Sequence, residues 1–363
     1  MQDMTKGSIF AHLIRFSIPM ILGNFLQLTY NAVDSIIISK CMGQTALAAV
    51  STADPIITIL VLGASGVSLG ASVMVSRFRG AGETEKIRQE FASTLIFGFF
   101  FSLGVFTLGL ALSRRMLLWI QTPQEALAMA VVYLRIYLVG FLFTFQYNVL
   151  ASCLRGLGDS KTPVYFLALS CGVNVLLDLL FVAVLRLGVA GAAWATVISQ
   201  AVSGLGIMAY SFAKLPQLRR GGENWDWERF GQIVRNDVAT GIQQSVMNFG
   251  ILMIQGLVNS FGTVIMAAFA AAVKIDTLAY MPAQEFGNAY SLFVSQNFGA
   301  GEHERICKGT RLSFLLSAAF CALISCGIFL LAPRLMGCFV DAGEAEVIAQ
   351  GARYLRIEGA AYV

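Results

Sequence analysis

The chain alternates between long apolar runs and short polar stretches. Apolar runs cover residues 16–39, 48–76, 91–113, 126–153, 162–187, 189–213, 238–260, 264–297 and 308–333, and a tenth begins near 345. A helix needs about 20 apolar residues to cross a bilayer, and each complete run is long enough or longer. The pattern predicts an all-α polytopic membrane protein, whose helices are numbered 1 to 10 in chain order.

Composition supports the membrane interpretation and excludes several other classes. Of the 363 residues, 57% are hydrophobic and 13% are charged, about half the charged fraction of a soluble domain. Such a chain is neither disordered, nor a coiled coil, nor a basic nucleic-acid binder, so no nucleic-acid partner is expected. Its seven cysteines include no CxxC pair, which favours packing residues or free thiols over disulfides or metal ligands.

The distribution of positive charge predicts an orientation. The N-terminus and the even-numbered loops hold 16 Lys and Arg residues, whereas the odd-numbered loops hold 5. Cytoplasmic loops carry the excess of positive charge in membrane proteins. The N-terminus is therefore expected in the cytoplasm.

Short motifs recur at a nearly constant offset, which indicates an internal repeat. The paired motifs, at offsets of 219 to 221, are Gly80–Glu83 with Gly299–Glu302, Val75-Ser76 with Val294-Ser295, and Tyr133–Ile136 with Tyr354–Ile357. Six helices separate the copies, so the two lobes are expected to be parallel repeats. The predicted divisions are an N-terminal lobe at 1–213, a cytoplasmic linker with an interfacial helix at 214–237, and a C-terminal lobe at 238–363.

The repeat offset also shows how much of the first lobe has a counterpart in the second. Val363 corresponds to about residue 142, and the first copy ends near 213, so about 71 residues have no counterpart. We expect about ten of twelve helices, with the second lobe truncated in its fourth helix.

Three stretches carry a family resemblance. They are Ile18-Pro19 with Gln27, Tyr30, Asn31 and Asp34; Arg155 to Pro163, reading RGLGDSKTP; and Lys274 to Gly301, which includes Met281-Pro282 and ends in QNFGAG. They resemble the multidrug and toxic compound extrusion (MATE) exporters. The first lobe resembles the DNA-damage-inducible F-type branch, in which a helix 1 aspartate faces an Asn-xxx-Asp pair on helix 5. Helix 7 offers only Gln243 and Gln244 where another bacterial branch carries an acid.

The resemblance implies a secondary-active antiporter of the bacterial inner membrane. It would export amphipathic or cationic drugs and toxic compounds in exchange for H⁺ or Na⁺. The expected partners are these small molecules and the lipid bilayer, the expected assembly is a monomer, and no cofactor beyond the coupling ion is expected.

Asp34 is the first candidate coupling residue. A carboxylate within a membrane helix costs about 2.5–3.5 kcal/mol on insertion scales, so it is a functional candidate by default. Asn24, Gln27, Asn31 and Asp34 fall within about 80° of one another around helix 1. They form one polar stripe on an otherwise apolar helix.

Asp178 on helix 5 is the second candidate, with Asn174 one turn before it. Helix lengths put Asp34 and Asp178 at similar depth, and two close carboxylates in a low dielectric cannot easily both ionise. The resemblance adds Thr196 and Asn148 as polar partners of this pocket. The five side chains could support a proton network or ligate Na⁺ at Asp34 and Asp178, and the sequence leaves both open.

A substrate cavity is expected between the lobes. Its candidate lining residues are Gln27, Tyr30, Asn31, Asp276, Tyr280, Gln284 and Asn288. Glu285 and Glu358 are further intramembrane acids without an obvious partner, and Asp54-Pro55 is expected to mark a kink. The 27 phenylalanines and 13 methionines would suit a cavity for varied amphipathic cations, although most of them must face lipid or core.

Three other classes fit less well. A flippase for a lipid-linked or polyanionic substrate of the same broader superfamily should line its cavity with several cations, and Lys274 is the main intramembrane cation of the second half. A membrane-embedded enzyme should show clustered catalytic residues, but the two histidines lie at the membrane margin beside no candidate nucleophile. Extrusion of a compound against its own concentration gradient would exclude a channel.

Overall fold

The chain folds into a bundle of long helices. The computed structural model describes residues 2–215, 227–259, 261–340 and 344–360, and no strand occurs in these ranges. The helices are α1 (Ile9–Met42), α2 (Gln44–Gly80), α3 (Thr84–Trp119), α4 (Gln124–Gly156), α5 (Lys161–Asp178), α6 (Gly188–Lys214), α7 (Trp227–Asn259), α8 (Thr263–Gly299), α9 (His303–Met336) and α10 (Ala345–Gly359). The ten expected helices are confirmed, and eight of them are long and apolar enough to cross a membrane.

The helices extend beyond the apolar runs at most ends because polar residues cap and prolong them. Ser8 begins α1, where its hydroxyl accepts a hydrogen bond from the amide of Ala11 at 3.4 Å, as an N-cap residue does. The largest difference is α7, which begins at Trp227, 11 residues before the apolar run at 238. Of the linker at 214–237, in which an interfacial helix is expected, residues 216–226 lie outside the described residues, and residues 227–237 belong to α7.

Left-handed glycines recur at equivalent positions in the two halves. Gly43, between α1 and α2, has φ 83°, and Gly262, between α7 and α8, has φ 94°. Gly82 and Gly301, which follow α2 and α8, have φ 73° and 76°. Only glycine adopts such angles without strain. Helices α8, α9 and α10 also pack against one another as α2, α3 and α4 do, so the sequence repeat has a structural counterpart.

The two halves meet closely at the end of the bundle where α1 begins, which is called the N-terminal face below. There the last turns of α2 and α8 cross so tightly that a Cβ on Gly80 would clash with the Gln296 carbonyl, and one on Gly299 with the Arg77 carbonyl. Gly80 corresponds to Gly299, and Arg77 corresponds to Gln296, at the repeat offset of 219. The crossing is thus a pseudo-twofold contact, and it closes the bundle at this face.

The segment before α1 adds to this closure. The amide of Met4 donates to Gln296 Oε1 at 2.8 Å, and the Arg305 guanidinium donates to the Met4 carbonyl at 3.0 Å. Met4 is buried in an apolar cluster that includes Phe16 of α1 and Phe293 of α8. Residues of both halves therefore hold the N-terminal segment across the N-terminal face.

Candidate functional site

A cavity of about 730 Å³ lies between α1, α2, α4, α5, α6 and α8. Asp34 and Asp54 line it in the half of the bundle away from the N-terminal face, and Ser152 and Arg155 line it near that face. The crossing of α2 and α8 at Gly80 closes the bundle beyond this inner end. The cavity is therefore an elongated space running along the helices.

Asp34 and Asp178 meet at the outer part of this cavity. Asp34 lines the cavity, Asp178 is fully buried behind it, and the two carboxyl groups lie close together. No described donor reaches either oxygen of Asp178. Two carboxylates this close in a low dielectric cannot easily both be ionised. The geometry suits a site that holds a proton, or a small cation between the carboxylates.

Polar side chains of α5 and α6 surround this pair. Asn174 is buried one turn before Asp178, and its amide nitrogen donates to the Thr196 hydroxyl at 3.5 Å. Thr196 in turn donates to the Ala192 carbonyl at 3.1 Å, and the Tyr30 side chain lies close to Thr196. Four of the five expected coupling residues, together with Tyr30, thus lie close together.

The helix that carries Asp178 changes its winding directly after it. Residues Leu179–Val184 form a π-helical turn, in which the Leu185 amide donates to the Leu180 carbonyl at 2.8 Å. Such turns are rare in proteins as a whole, but those that occur are often found at functional sites. Here the wider turn adjoins the buried carboxyl group of Asp178.

Asn148 lies apart from the aspartate pair. It lines the cavity, but its amide donates to the Thr144 carbonyl of its own helix at 2.9 Å. It is two turns from Arg155, which lines the inner end of the cavity and donates to the Ser152 hydroxyl at 2.8 Å. Asn148 therefore belongs to the inner part of the cavity rather than to the Asp34 network.

The expected lining residues of the second half divide into two groups. Gln284 and Asn288 line the cavity, together with Glu285, which accepts a hydrogen bond from Asn24 at 2.8 Å. Asp276 and Tyr280 are not among the described lining residues. Asp276 instead lies near Tyr354 and Glu358, which contact each other on α10, so Glu358 does have partners. From the first half, Gln27, Tyr30 and Asn31 all line the cavity.

Several cavity residues were missed by sequence reasoning. Asp54 lines the cavity close enough to Asp34 for their charges to interact, and Tyr133 lies near both. Tyr137 also lines the cavity and contacts the Gln200 side chain. An aspartate inside an apolar run could have indicated a cavity residue. The adjacent Pro55 instead led to the interpretation of Asp54-Pro55 as a helix kink.

The described wall of the cavity is mainly polar. Of the 39 described lining residues, 26 carry a side-chain oxygen or nitrogen, and the described lining contains one methionine, Met20, and no phenylalanine. Many phenylalanines instead lie exposed on the outside of the helices, for example Phe100, Phe314 and Phe329. The described cavity wall is therefore not rich in phenylalanine or methionine, which agrees with the expectation that most of these residues face lipid or core.

The described residues include no group of three or more His, Cys, Asp or Glu side chains placed to hold a metal ion. A Na⁺ ion at Asp34 and Asp178 would also need oxygens from neutral groups. Asn174 would offer one, since its amide oxygen is buried and no described donor reaches it. Thr196 would offer a second oxygen beside it.

Comparisons with known proteins agree with this architecture. The MatE family model matches residues 19–180 and 239–363. The chain is 29% identical to the probable multidrug resistance protein YpnP of Bacillus subtilis, over 98% of this chain and 79% of that protein. It is 27% identical to the probable multidrug resistance protein YoeA of the same organism, over 96% and 77%. A solved outward-facing structure of a multidrug resistance MATE family transporter has a TM-score of 0.89 at 24% identity, covering 99% of this chain and 80% of that one.

Proposed function

This chain belongs to the MatE family of membrane transporters and is not an enzyme, and we propose that it is a secondary-active antiporter. It exports amphipathic or cationic compounds in exchange for H⁺ or Na⁺. The observation that carries the proposal is the contact between Asp34 and Asp178 on the wall of the cavity. The drug-export names of YpnP and YoeA support the same activity.

The aspartate pair couples the ion to the substrate. Asp34 faces the cavity, so an ion held between Asp34 and Asp178 shares the space that a cationic substrate enters. Binding of a cationic substrate is weakened when the pair is neutralised by H⁺ or Na⁺ and strengthened when it is negatively charged. Exchange follows because ion and substrate have different affinities for the two conformations.

Within the family we assign the chain to the DNA-damage-inducible F-type branch. The support is the proximity of Asp34 on α1 to Asp178 on α5, with Asn174 one turn before Asp178. The chain resides as a monomer in the bacterial inner membrane. Its N-terminal face is cytoplasmic, as the excess of Lys and Arg near that face favours.

A flippase for polyanionic or lipid-linked substrates fits this cavity less well. Arg155 is the one cation among the described lining residues, against the carboxyl groups of Asp34, Asp54 and Glu285. A polyanion would meet net negative charge in this space. The charge of the described wall therefore favours cationic substrates.

Transport by vesicles tests the proposal. Wild-type protein and the Asp34→Asn and Asp178→Asn variants are compared for ion-driven transport of ethidium and of spermine, with Glu125→Gln as a matched change of an exposed acid. Both aspartate variants should lose gradient-driven transport, while Glu125→Gln keeps it. Normal extrusion of either compound by both aspartate variants would refute coupling through this pair.

A further inference from the structure

Much of the polar wall of the cavity can accept hydrogen bonds from a ligand. Many of its hydroxyl groups donate their proton to a backbone carbonyl at 2.8–3.4 Å. These residues are Ser35, Thr144, Ser170, Thr196, Ser199 and Ser203. A hydroxyl carries one proton and two lone pairs, so each of these groups has only lone pairs left to offer a ligand.

Other lining side chains have also used donor groups within the protein. Tyr147 donates its hydroxyl proton to the Pro163 carbonyl at 2.8 Å. Asn148 and Asn24 each donate an amide N–H, to the Thr144 carbonyl at 2.9 Å and to Glu285 at 2.8 Å. Each of these side chains therefore uses a donor within the protein and keeps oxygen lone pairs available to a ligand.

Three carboxyl groups extend this acceptor surface along the cavity. Asp34, Asp54 and Glu285 come from α1, α2 and α8 respectively. Glu285 is bonded to Asn24, which lies ten residues before Asp34 on α1. At 1.5 Å per residue this places two acidic levels about 15 Å apart along the helix axis. A ligand that meets both levels must be elongated.

From these features we propose that the cavity is built for elongated polyamines, compounds that carry several primary or secondary ammonium groups. This inference rests on the proposed function and names its substrate class. Alkylammonium groups resemble the lysine side chain, so they remain charged at neutral pH and each carries two or three N–H donors. A quaternary or polyaromatic cation with few donors would desolvate the acceptor wall without replacing its hydrogen bonds, which costs binding free energy.

The sharpest test separates hydrogen-bond donation from charge. Spermine is compared with its fully N-methylated quaternary analogue, which keeps four positive charges but has no N–H group. Proteoliposomes with the full chain are assayed for ion-driven transport of each compound, and ethidium is assayed in parallel. The KM for spermine should be lower than that for the analogue by about tenfold or more, as expected when one or two charged hydrogen bonds are lost.

The Glu285→Gln variant tests the second acidic level. It should raise the KM for spermine several-fold with little change in the KM for ethidium, because only the elongated ligand reaches both levels. Glu304→Gln, a change at a fully exposed acid that pairs with Lys308, is the matched control and should leave both values unchanged.

The outcomes separate the two proposals. Equal or better transport of the quaternary analogue overturns the polyamine assignment, and so does ion-driven transport of ethidium without transport of spermine. Both of those results keep the antiporter proposal. If no imposed gradient drives transport of any of the three cations, the antiporter proposal falls and the substrate assignment falls with it.

Discussion

At the scale of single residues, the molecule holds its intramembrane acids in different environments. Asp178 is fully buried against Asp34, whereas Asp54 is exposed to the cavity. A buried carboxyl whose described surroundings offer no donor must carry or share a proton, or bind a cation. A carboxyl open to the cavity can instead remain hydrated and attract a cationic ligand. Replacing an aspartate by asparagine should therefore have different consequences in the buried pair and at Asp54.

Replacing Asp34 and Asp54 by asparagine should separate coupling from substrate binding. Asp34→Asn should abolish ion-driven transport, because the pair can no longer exchange an ion. Asp54→Asn should keep ion-driven transport but raise the KM for a cationic substrate several-fold. Initial rates at varied substrate concentration distinguish the two effects, and identical kinetic defects in both variants would contradict this division of roles.

Thr196 should hold Asn174 and Tyr30 in place beside the aspartate pair. Thr196→Val removes the hydroxyl that contacts Asn174 and Tyr30. Loss of one net hydrogen bond, about 1 kcal/mol, should slow transport about fivefold. Thr277→Val, at an exposed threonine bonded to its own helix, controls for the substitution, and an equal loss in both variants would argue against a specific role for Thr196.

The candidate site was predictable from the sequence where a residue type is costly in a membrane. An aspartate on each of two helices at similar depth predicted the meeting of Asp34 and Asp178, and helical spacing predicted that Asn174 accompanies Asp178. The donor and acceptor balance of the cavity wall was not predictable. It depends on which backbone carbonyl each serine and threonine contacts, and only the packed helices determine that.

At the scale of helices, the glycines at the crossing of α2 and α8 allow the N-terminal face to close. Gly80→Ala should hold this face open, because the added methyl group would clash with the Gln296 backbone. Cys171 lines the cavity and serves as a reporter in a protein without the other six cysteines. A charged maleimide added at the N-terminal face should label Cys171 in Gly80→Ala several times faster than in wild type.

Gly104→Ala is the matched control for this experiment. A Cβ at Gly104 meets no other atom within 4 Å, so this variant should label like wild type. Equal labelling rates in the Gly80 and Gly104 variants would show that the crossing does not govern access to the cavity.

A buried hydrogen bond joins α3 to α7 and should contribute to stability. The Thr94 hydroxyl contacts Asp237 Oδ2 at 3.0 Å, and both residues are fully buried. Thr94→Val should lower the free energy of unfolding by about 1 kcal/mol because a buried carboxyl loses a donor. Thermal unfolding in detergent measures this, with the exposed Thr29→Val as control. An unchanged midpoint would contradict a stabilising role.

The helices themselves were largely predictable, and their ends were not. Hydropathy identifies the part of a helix that lies in the lipid, whereas polar turns prolong the helix beyond it. This is why α3 begins at Thr84 although its apolar run begins at 91. The early start of α7 at Trp227 has the same cause, since its first turns are polar and one of them carries the buried Asp237.

At the scale of the whole molecule, the repeat relates the two halves and the cavity distinguishes them. Equivalent glycines shape the connections and the crossing at the N-terminal face. The acidic pair, in contrast, belongs to the first half alone, while the second half contributes Gln284, Glu285 and Asn288 to the wall. In this account the ion binds within the first half, and the substrate lies between the two halves.

The central claim is that an ion gradient drives transport through the Asp34–Asp178 pair. Its most direct test is substrate accumulation in proteoliposomes under an imposed pH gradient or an imposed Na⁺ gradient, for wild type and for Asp34→Asn. The account predicts uphill accumulation by wild type with at least one of the two gradients and none by the variant. Accumulation by Asp34→Asn at the wild-type level, or simple equilibration by wild type under both gradients, would contradict it.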